Sequence, residues 1–293
     1  MTVPSALANP MQVTSPVKMS DDMFRQFRDF IYQQTGIMFQ DTKKYLLEGR
    51  LAKRLQVLNL RDFESYHQLV KFGTRRAEEM KFLYDAVTIN ETFFFRNEPQ
   101  FEAFEKTLVP QIVASRRSTG RTTLRVWSAA SSSGEEAYTI AMLYLERLRP
   151  MFPGLEIEIV GTDINSTVLD TARQGIYREY SIRNTPKYYL QKYFKTEDSR
   201  YYIDESAKRL TKFQHMNLYD RPKMRLMSRF DVIFCANVLI YFDTKSKIQV
   251  VSDLYDALNP GGYLFIGYAE SLHGISTAFK LINFPKTVAY KKE

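Results

Sequence analysis

The residues with the plainest chemistry in this chain lie in two short stretches, Leu124 to Tyr138 and Glu156 to Asp163. In the first, an apolar run through Val126-Trp127 passes into Ser128-Ala129-Ala130-Ser131-Ser132-Ser133-Gly134, then into a helix-forming segment opened by Glu135 and Glu136. Strand, loop of tiny residues and helix make the opening of a Rossmann-like unit, in which a ligand lies over the strand's carboxyl end. Small side chains let backbone and ligand approach closely. The loop holds a single glycine and no GxGxxG, and two carboxylates at a helix N-terminus repel phosphate, so a pyrophosphate is a poor fit. A ligand with hydroxyls and positive charge fits better, and S-adenosylmethionine (SAM), with its ribose, ammonium and sulfonium, is one. The second stretch is a strand with a carboxylate at its end, where Asp163 can accept hydrogen bonds from two vicinal ribose hydroxyls. Ser166-Thr167 begins a helix that Asp163 could cap instead, but its place after two strand–helix steps favours the ligand.

Two further stretches carry polar residues at positions that matter. Asn90-Glu91-Thr92-Phe93-Phe94-Phe95-Arg96 brackets three aromatics, read as core, with polar groups that could not all be buried without partners. Asn90, Thr92 and Arg96 are therefore expected to face a ligand at a domain junction. In Phe230 to Phe242, an apolar strand ends at Ala236-Asn237; Asn237 stands at the mouth of the sheet, and Tyr241 one turn later reaches the same mouth.

The elements that must position these residues follow from periodicity. Met1 to Val17 shows none and is read as a mobile tail. Acidic caps precede an amphipathic helix carrying Phe24, Phe27, Phe30 and Ile31, which Gly36 ends. The next helix, about Lys43 to Leu58, sets Leu47, Leu51, Leu55 and Leu58 on one stripe; Lys43, Arg50, Lys53, Arg54 and Arg61 gather on an adjoining face. That face is either solvated surface or a docking face for an acidic helix. Helices over Asp62 to Phe72 and Arg75 to Val87 complete a small helical domain, and one from Gln100 to Arg117 leads into the α/β domain. Between Tyr177 and Lys212 the alternation breaks, with short strands expected at Tyr201 to Ile203 and Arg209 to Phe213, an insert with antiparallel pairing. Asn259-Pro260-Gly261-Gly262 reads as a turn before closing strands at Tyr263 to Tyr268 and Thr287 to Tyr290.

With 293 residues, 44% hydrophobic and 25% charged, the chain can hold one large α/β domain and a smaller one. No apolar run approaches the roughly 18–20 residues of a membrane span, and no charged n-region precedes an apolar segment, so a cytoplasmic protein is expected. The single cysteine, Cys235, lies in an apolar run, which excludes an internal disulfide and suits a reduced compartment. His67, His215 and His273 are scattered and leave no zinc site, so no metal is expected. A net charge of +8 suggests an acidic partner.

Taken together, Asn90-Glu91-Thr92 with Phe94-Phe95-Arg96, Val126-Trp127-Ser128-Ala129-Ala130 with Ser133-Gly134-Glu135-Glu136, Gly161-Thr162-Asp163-Ile164, Asn217-Leu218 and Asn237-Val238-Leu239-Ile240-Tyr241-Phe242 resemble the bacterial chemotaxis receptor methyltransferases of the CheR type. The blocks occur in that family's order between about Ser20 and Tyr290. The resemblance implies a SAM-dependent protein-glutamate O-methyltransferase, with S-adenosylhomocysteine as product. Its implied fold is an α/β Rossmann-like catalytic domain with an N-terminal all-helical domain and a small inserted antiparallel β-subdomain. The implied boundaries are a tail at 1–17, a helical domain at 18–88, a linker contributing to the cofactor site at 89–99, and a catalytic domain at 100–293 with its insert at about 178–213.

Carried over by motif, Asn90, Thr92, Arg96, Glu135, Asp163, Asn217, Leu218, Asn237 and Val238 would contact the cofactor. Arg96 and Tyr241 would lie nearest the transferred methyl, and Arg50, Lys53 and Arg54 would engage the receptor's methylation helices. The implied partner is a methyl-accepting chemoreceptor cytoplasmic domain; neither nucleic acid nor membrane insertion is expected, and the protein is expected to be a monomer. Ala236 and Tyr268-Ala269 depart from the family's usual residues, which leaves the role of the second loop open. Two other classes share the cofactor site: a methyltransferase of RNA or a small molecule, and a non-catalytic SAM-binding adaptor.

Overall fold

The computed structural model describes residues 17–116, 120 and 122–293; the tail expected over Met1 to Val17 lies, except for Val17, outside them, as does Arg117. The described chain divides into two units, 17–29 with Phe39–Val87, and Phe30–Met38 with Thr88–Glu293.

The first unit is helical. It takes the opening turns of α1 (Asp21–Thr35), then α2 (Lys44–Leu58), α3 (Phe63–Phe72) and α4 (Arg76–Val87). The i, i+4, i+8 stripe of α2 is buried as its spacing predicts, Leu47, Leu51 and Leu55 all losing nearly their entire surface. Asp62 caps α3 by accepting from the Ser65 N–H at 2.8 Å. Inside this unit Arg54 grips Glu79, which has no exposed surface, with contacts of 2.9 and 2.7 Å, and the same guanidinium lies 3.4 Å from the Phe82 ring centre.

The second unit is a Rossmann-like sheet with helices. Helices α5 (Glu98–Ala103) and α6 (Val109–Ser115), joined through a π-helical turn at Phe104–Leu108, lead into β1 (Thr123–Ala129). Then come α7 (Glu135–Leu143), α8 (Arg149–Met151), β2 (Glu156–Asp163) and α9 (Ser166–Gln174). The insert holds β3 (Ile176–Tyr177), α10 (Glu179–Ile182), α11 (Lys187–Tyr193), β4 (Phe194–Glu197), β5 (Arg200–Ile203) and α12 (Glu205–Lys208). The main fold resumes with β6 (Thr211–His215), α13 (Arg221–Met224), β7 (Phe230–Cys235) and α14 (Thr244–Ala257), and closes with β8 (Leu258–Ile266), β9 (Phe279–Phe284) and β10 (Thr287–Lys292).

The main sheet runs β6-β2-β1-β7-β8-β10-β9, parallel from β6 to β8 and antiparallel at β10 and β9. The chain winds outward from β1 in one direction, then returns to its other side at β7. The order therefore reverses between β1 and β7, and a crevice opens there at the strands' carboxyl ends. The middle of the sheet is largely apolar because helices cover both faces; β7 is buried along its whole length, Asp231 included.

Two sequence expectations change. Thr211 to Phe213 does not belong to the antiparallel insert: β6 pairs parallel with β2, Phe213 opposite Gly161, and only β3, β5 and β4 form the small antiparallel sheet. The aromatic, cationic composition of that region hid a main-sheet edge strand. Asn259 to Gly262 is not a turn ahead of the strand but a looped-out excursion within β8. Pairing passes from Phe230 opposite Leu258 to Val232 opposite Tyr263. β9 was not anticipated.

Candidate active site

The loop after β1 is held in a costly shape. Ala130, Ser132 and Gly134 all have left-handed backbone, with φ of 61°, 50° and 93°. Such a conformation costs a residue with a side chain on the order of 1–3 kcal/mol, and surrounding contacts must offset it. Asp163, at the end of β2 and only 6% exposed, supplies them: Oδ2 accepts from the Ser132 N–H at 2.9 Å and Oδ1 from the Asn165 N–H at 2.8 Å. Ser131 N–H donates to the Thr162 carbonyl at 2.8 Å. A side chain at Gly134 would meet Ala172 and Phe213 at 2.9 Å, and one at Gly161 would meet the Phe213 ring at 2.5 Å. The loop can lie this close to β2 and β6 only because both positions are glycine. Asp163 thus braces the loop and the start of the next helix, one carboxylate oxygen to each.

The two glutamates that open α7 have different surroundings. Glu135 is almost wholly buried, and Ser133 Oγ and Ser181 Oγ donate to its carboxylate at 2.8–3.0 Å. Burial pushes its pKa up, and these hydroxyls pull it part-way back. Glu136 is half-buried and receives one bond, from Ser128 Oγ to Oε1 at 2.7 Å. Burial pushes its pKa up to about 7, opposed by the Ser128 bond and the Arg96 charge. Glu136 thus stands in the field of Arg96, while Glu135 is enclosed by hydroxyls.

Residues 90–96 are tied to the same loop. The Asn90 carbonyl accepts from Ser132 Oγ at 3.1 Å, and Asn90 Nδ2 donates to Thr88 Oγ1 at 3.3 Å, which also accepts from Asn165 Nδ2 at 2.8 Å. Phe94 N–H bonds the Ser181 carbonyl at 2.9 Å and Phe95 N–H bonds Thr139 Oγ1 at 3.2 Å, Phe95 itself being left-handed with φ of 58°. Phe94 and Phe95 are core, as read from the sequence, but Phe93 is half-buried and lies between two cations, 3.5 Å from Arg183 and 5.6 Å from Arg96. Thr92 and Arg96 are half-buried, and the Arg96 guanidinium donates to the Glu91 carbonyl.

The remaining predicted residues reach the same end of the sheet. Asn217, mostly buried, spends its side chain on the chain itself: Nδ2 donates to the Gln34 carbonyl at 2.7 Å and Oδ1 accepts from Tyr219 N–H at 3.0 Å. Leu218 is buried, and Val238 packs against the core cluster that contains it. Asn237 follows β7 with φ of 63°, and Tyr241 ends a short 3₁₀ turn, Leu239–Tyr241; both are half-buried.

Comparison with known families decides the assignment. The CheR methyltransferase all-alpha domain matches residues 22–88, and the CheR methyltransferase SAM binding domain matches residues 90–288. This chain belongs to the CheR methyltransferase family. Chemotaxis protein methyltransferase 2 of Vibrio cholerae is 36% identical over 277 residues, covering 94% of each chain. The chemotaxis protein methyltransferase of Borreliella burgdorferi is 32% identical over 277 residues, covering 94% of this chain and 96% of its own. Among solved structures, magnesium protoporphyrin IX methyltransferase from Synechocystis PCC 6803 with bound SAM is 14% identical. It covers 77% of this chain and 94% of that one with a TM-score of 0.35, too distant to bear on the assignment. The protein is a SAM-dependent methyltransferase of the chemotaxis family, and SAM is its cofactor.

For a CheR-family site the donor set is apt. Buried carboxylates, hydroxyls and left-handed loops gather at the carboxyl ends of β1, β2 and β7, which suits a cationic, hydroxylated ligand and opposes a phosphate. The three cationic residues expected on α2 lie elsewhere, in the helical unit, and they are not equivalent. Arg54 is committed to Glu79, Arg50 donates to the Ala86 carbonyl at 3.1 Å, and Lys53 is exposed. Helical projection placed all three on one face but could not show which of them α4 would claim.

Sequence reasoning gives no site role to Ser128, Ser181 or Arg183, uses Glu136 only as a charge that repels phosphate, and leaves open the role of the loop that holds Glu270. For Glu136 a signal existed: it adjoins Glu135, and about 100° of helical rotation sends the two carboxylates to different surroundings. The others are brought in by pairing and packing, which leave no trace in spacing.

Proposed function

We propose that this chain transfers the methyl group of SAM to glutamate side chains of chemoreceptor cytoplasmic domains, giving glutamate methyl esters. The observation that carries the reading is the position of Arg96. Its guanidinium lies within the field of Glu136 and over Phe93, beside the SAM-binding loop, where it can steer an acceptor carboxylate. When bound, SAM supplies a methyl made electrophilic by its sulfonium. A glutamate has a pKa of about 4.3 and is already an anion at neutral pH, so the acceptor needs no general base.

Catalysis would then rest on placement and exclusion of water, worth about 7–11 kcal/mol in well-oriented systems. Asp163 would accept from the ribose hydroxyls. Glu136, with one hydroxyl partner and a raised pKa, is better suited to the ammonium than Glu135, whose carboxylate is already engaged by the Ser133 and Ser181 hydroxyls. Asn217 and Leu218 would border the adenine, the Asn217 side chain acting through the turn it holds. Asn90, Thr92, Asn237 and Val238 would complete the wall. Tyr241 would orient an acceptor oxygen beside Arg96.

The organisation proposed is a helical domain at 18–88, a site-forming linker at 89–99 and a catalytic domain from 100, with the insert shortened to end before Thr211. No described helix is long and apolar enough to cross a membrane. The setting proposed is a monomer acting in the cytoplasm on the receptor's cytoplasmic part, with Lys53 the exposed cation on the docking helix. Incubation with methyl-labelled SAM and candidate receptor domains, followed by mild base, tests the reaction. Base-labile label on the receptor supports it; label on RNA instead, or SAM binding with no transfer to any receptor, would overturn it.

A further inference from the structure

We propose that Glu270, in the loop after β8, is a positioning residue for methyl transfer, holding the Asn237–Tyr241 segment through the backbone; this deepens, and rests on, the methyltransferase reading above. Oε2 of Glu270 accepts from Asn237 N–H at 2.9 Å and from Gly267 N–H at 2.6 Å, while Oε1 accepts from Ile240 N–H at 3.1 Å. Three amides of two loops thus converge on one half-buried carboxylate.

The segment needs such an anchor. Asn237 is left-handed, a state disfavoured for a residue with a side chain. Ile240 lies inside the 3₁₀ turn that ends at Tyr241, closed by Tyr241 N–H to the Val238 carbonyl at 3.1 Å. Pulling on the amides of 237 and 240 therefore fixes the backbone at both ends of the stretch that carries Asn237, Val238 and Tyr241. The two loops touch directly: a side chain at Gly267 would fall 2.8 Å from the Asn237 nitrogen and 2.7 Å from Glu270 Oε2. Gln100, after Arg96, donates to the Ile266 carbonyl at 2.6 Å, so the residue before Gly267 is tied to the helix that follows Arg96. Glu270 thus links the Tyr241 side of the site to the Arg96 side without touching either residue.

An ionised carboxylate is acceptor-only, which is what three converging N–H groups require. Glutamine has the same shape but turns one acceptor into a donor, so at least one amide faces an NH₂ and the loop must move. The test compares wild type, Glu270→Gln and Glu270→Asp, reading SAM affinity by calorimetry, kcat and KM with receptor domain at saturating SAM, and amide hydrogen exchange across 237–241. Glu270→Gln should lower kcat at least tenfold and weaken SAM binding several-fold, with receptor KM little changed. Exchange should rise in 237–241 and stay at wild-type level in the helical unit. Glu270→Asp, which keeps an acceptor-only group but falls one carbon short, should retain more activity, and it carries the test if the glutamine variant does not fold. Wild-type kcat and SAM affinity in Glu270→Gln, or a loss spread evenly over the exchange map, would overturn the role. If wild type itself transfers nothing to receptor domains, the methyltransfer reading fails. SAM affinity and local exchange then still decide for or against Glu270 as the anchor.

Discussion

If Glu136 receives the ammonium group, as proposed, cofactor binding is a proton-linked event. The pKa of Glu136 is raised to about 7 in the folded protein, against 4.5 ordinarily, because burial outweighs the Ser128 hydroxyl bond and the Arg96 charge, both of which lower it. An ammonium group can pair only with the ionised form, so SAM binding must drive off the proton that burial retains. At about pH 6, one unit below the raised pKa, roughly one site in eleven is ionised; at about pH 8, roughly ten in eleven are. The dissociation constant should therefore be about tenfold weaker at the lower pH, close to 1.4 kcal/mol, with nearly one proton released per SAM bound there and almost none at the higher pH. Stability of the unliganded protein runs the other way. A carboxyl raised in the folded state contributes fully below its unfolded pKa, and that contribution is lost as pH rises through the folded value near 7. Calorimetric titration in two buffers of different ionisation heat counts the proton directly. A flat affinity between these pH values with no proton release, or a Glu136→Gln variant that keeps the full pH dependence, would refute the assignment of the ammonium to Glu136.

Other substitutions separate binding from architecture. Asp163→Ala should abolish measurable SAM binding and also lower the unfolding midpoint, because the Ser132 and Asn165 amides lose their acceptor at about 1–3 kcal/mol each; unchanged stability in thermal melts would show that the loop does not depend on this brace. Gly161→Ala should destabilise by roughly 1–3 kcal/mol through collision with the Phe213 ring, and Phe213→Leu in the same chain should recover part of the loss in denaturant titrations. Arg54→Ala should cost about 3 kcal/mol, the low end for a broken buried ion pair, because buried Glu79 loses its two close contacts and keeps only Arg75 at 4.0 Å, whereas Lys53→Glu should leave stability and SAM affinity alone and raise receptor KM; equal melting temperatures for the two variants would contradict the internal pairing.

Much of the architecture is local in origin and could be read along the chain. The stripe Leu47, Leu51, Leu55 predicts a buried helical face, tiny residues between Val126 and Glu135 predict a strand–loop–helix crossing, and Asp163 stands where a second strand must end. Each of these depends on residues within a turn or two of one another, and on a hydrophobic period that only one element satisfies. What spacing could not reveal is which polar groups would already be engaged once distant segments met. Arg54 looks like a free surface cation until α4 delivers Glu79; Glu135 and Glu136 look equivalent until Ser133 and Ser181 enclose one and Arg96 faces the other; Glu270 looks like loop composition until two strand ends bring three amides to it. Thr211 to His215 could be placed in the main sheet only by parallel pairing with β2, a contact made across the whole insert. Hydrogen bonds and charges act at about 3 Å in space whatever their separation in sequence, so periodicity specified the scaffold while tertiary pairing selected which carboxylates and cations remained available for chemistry.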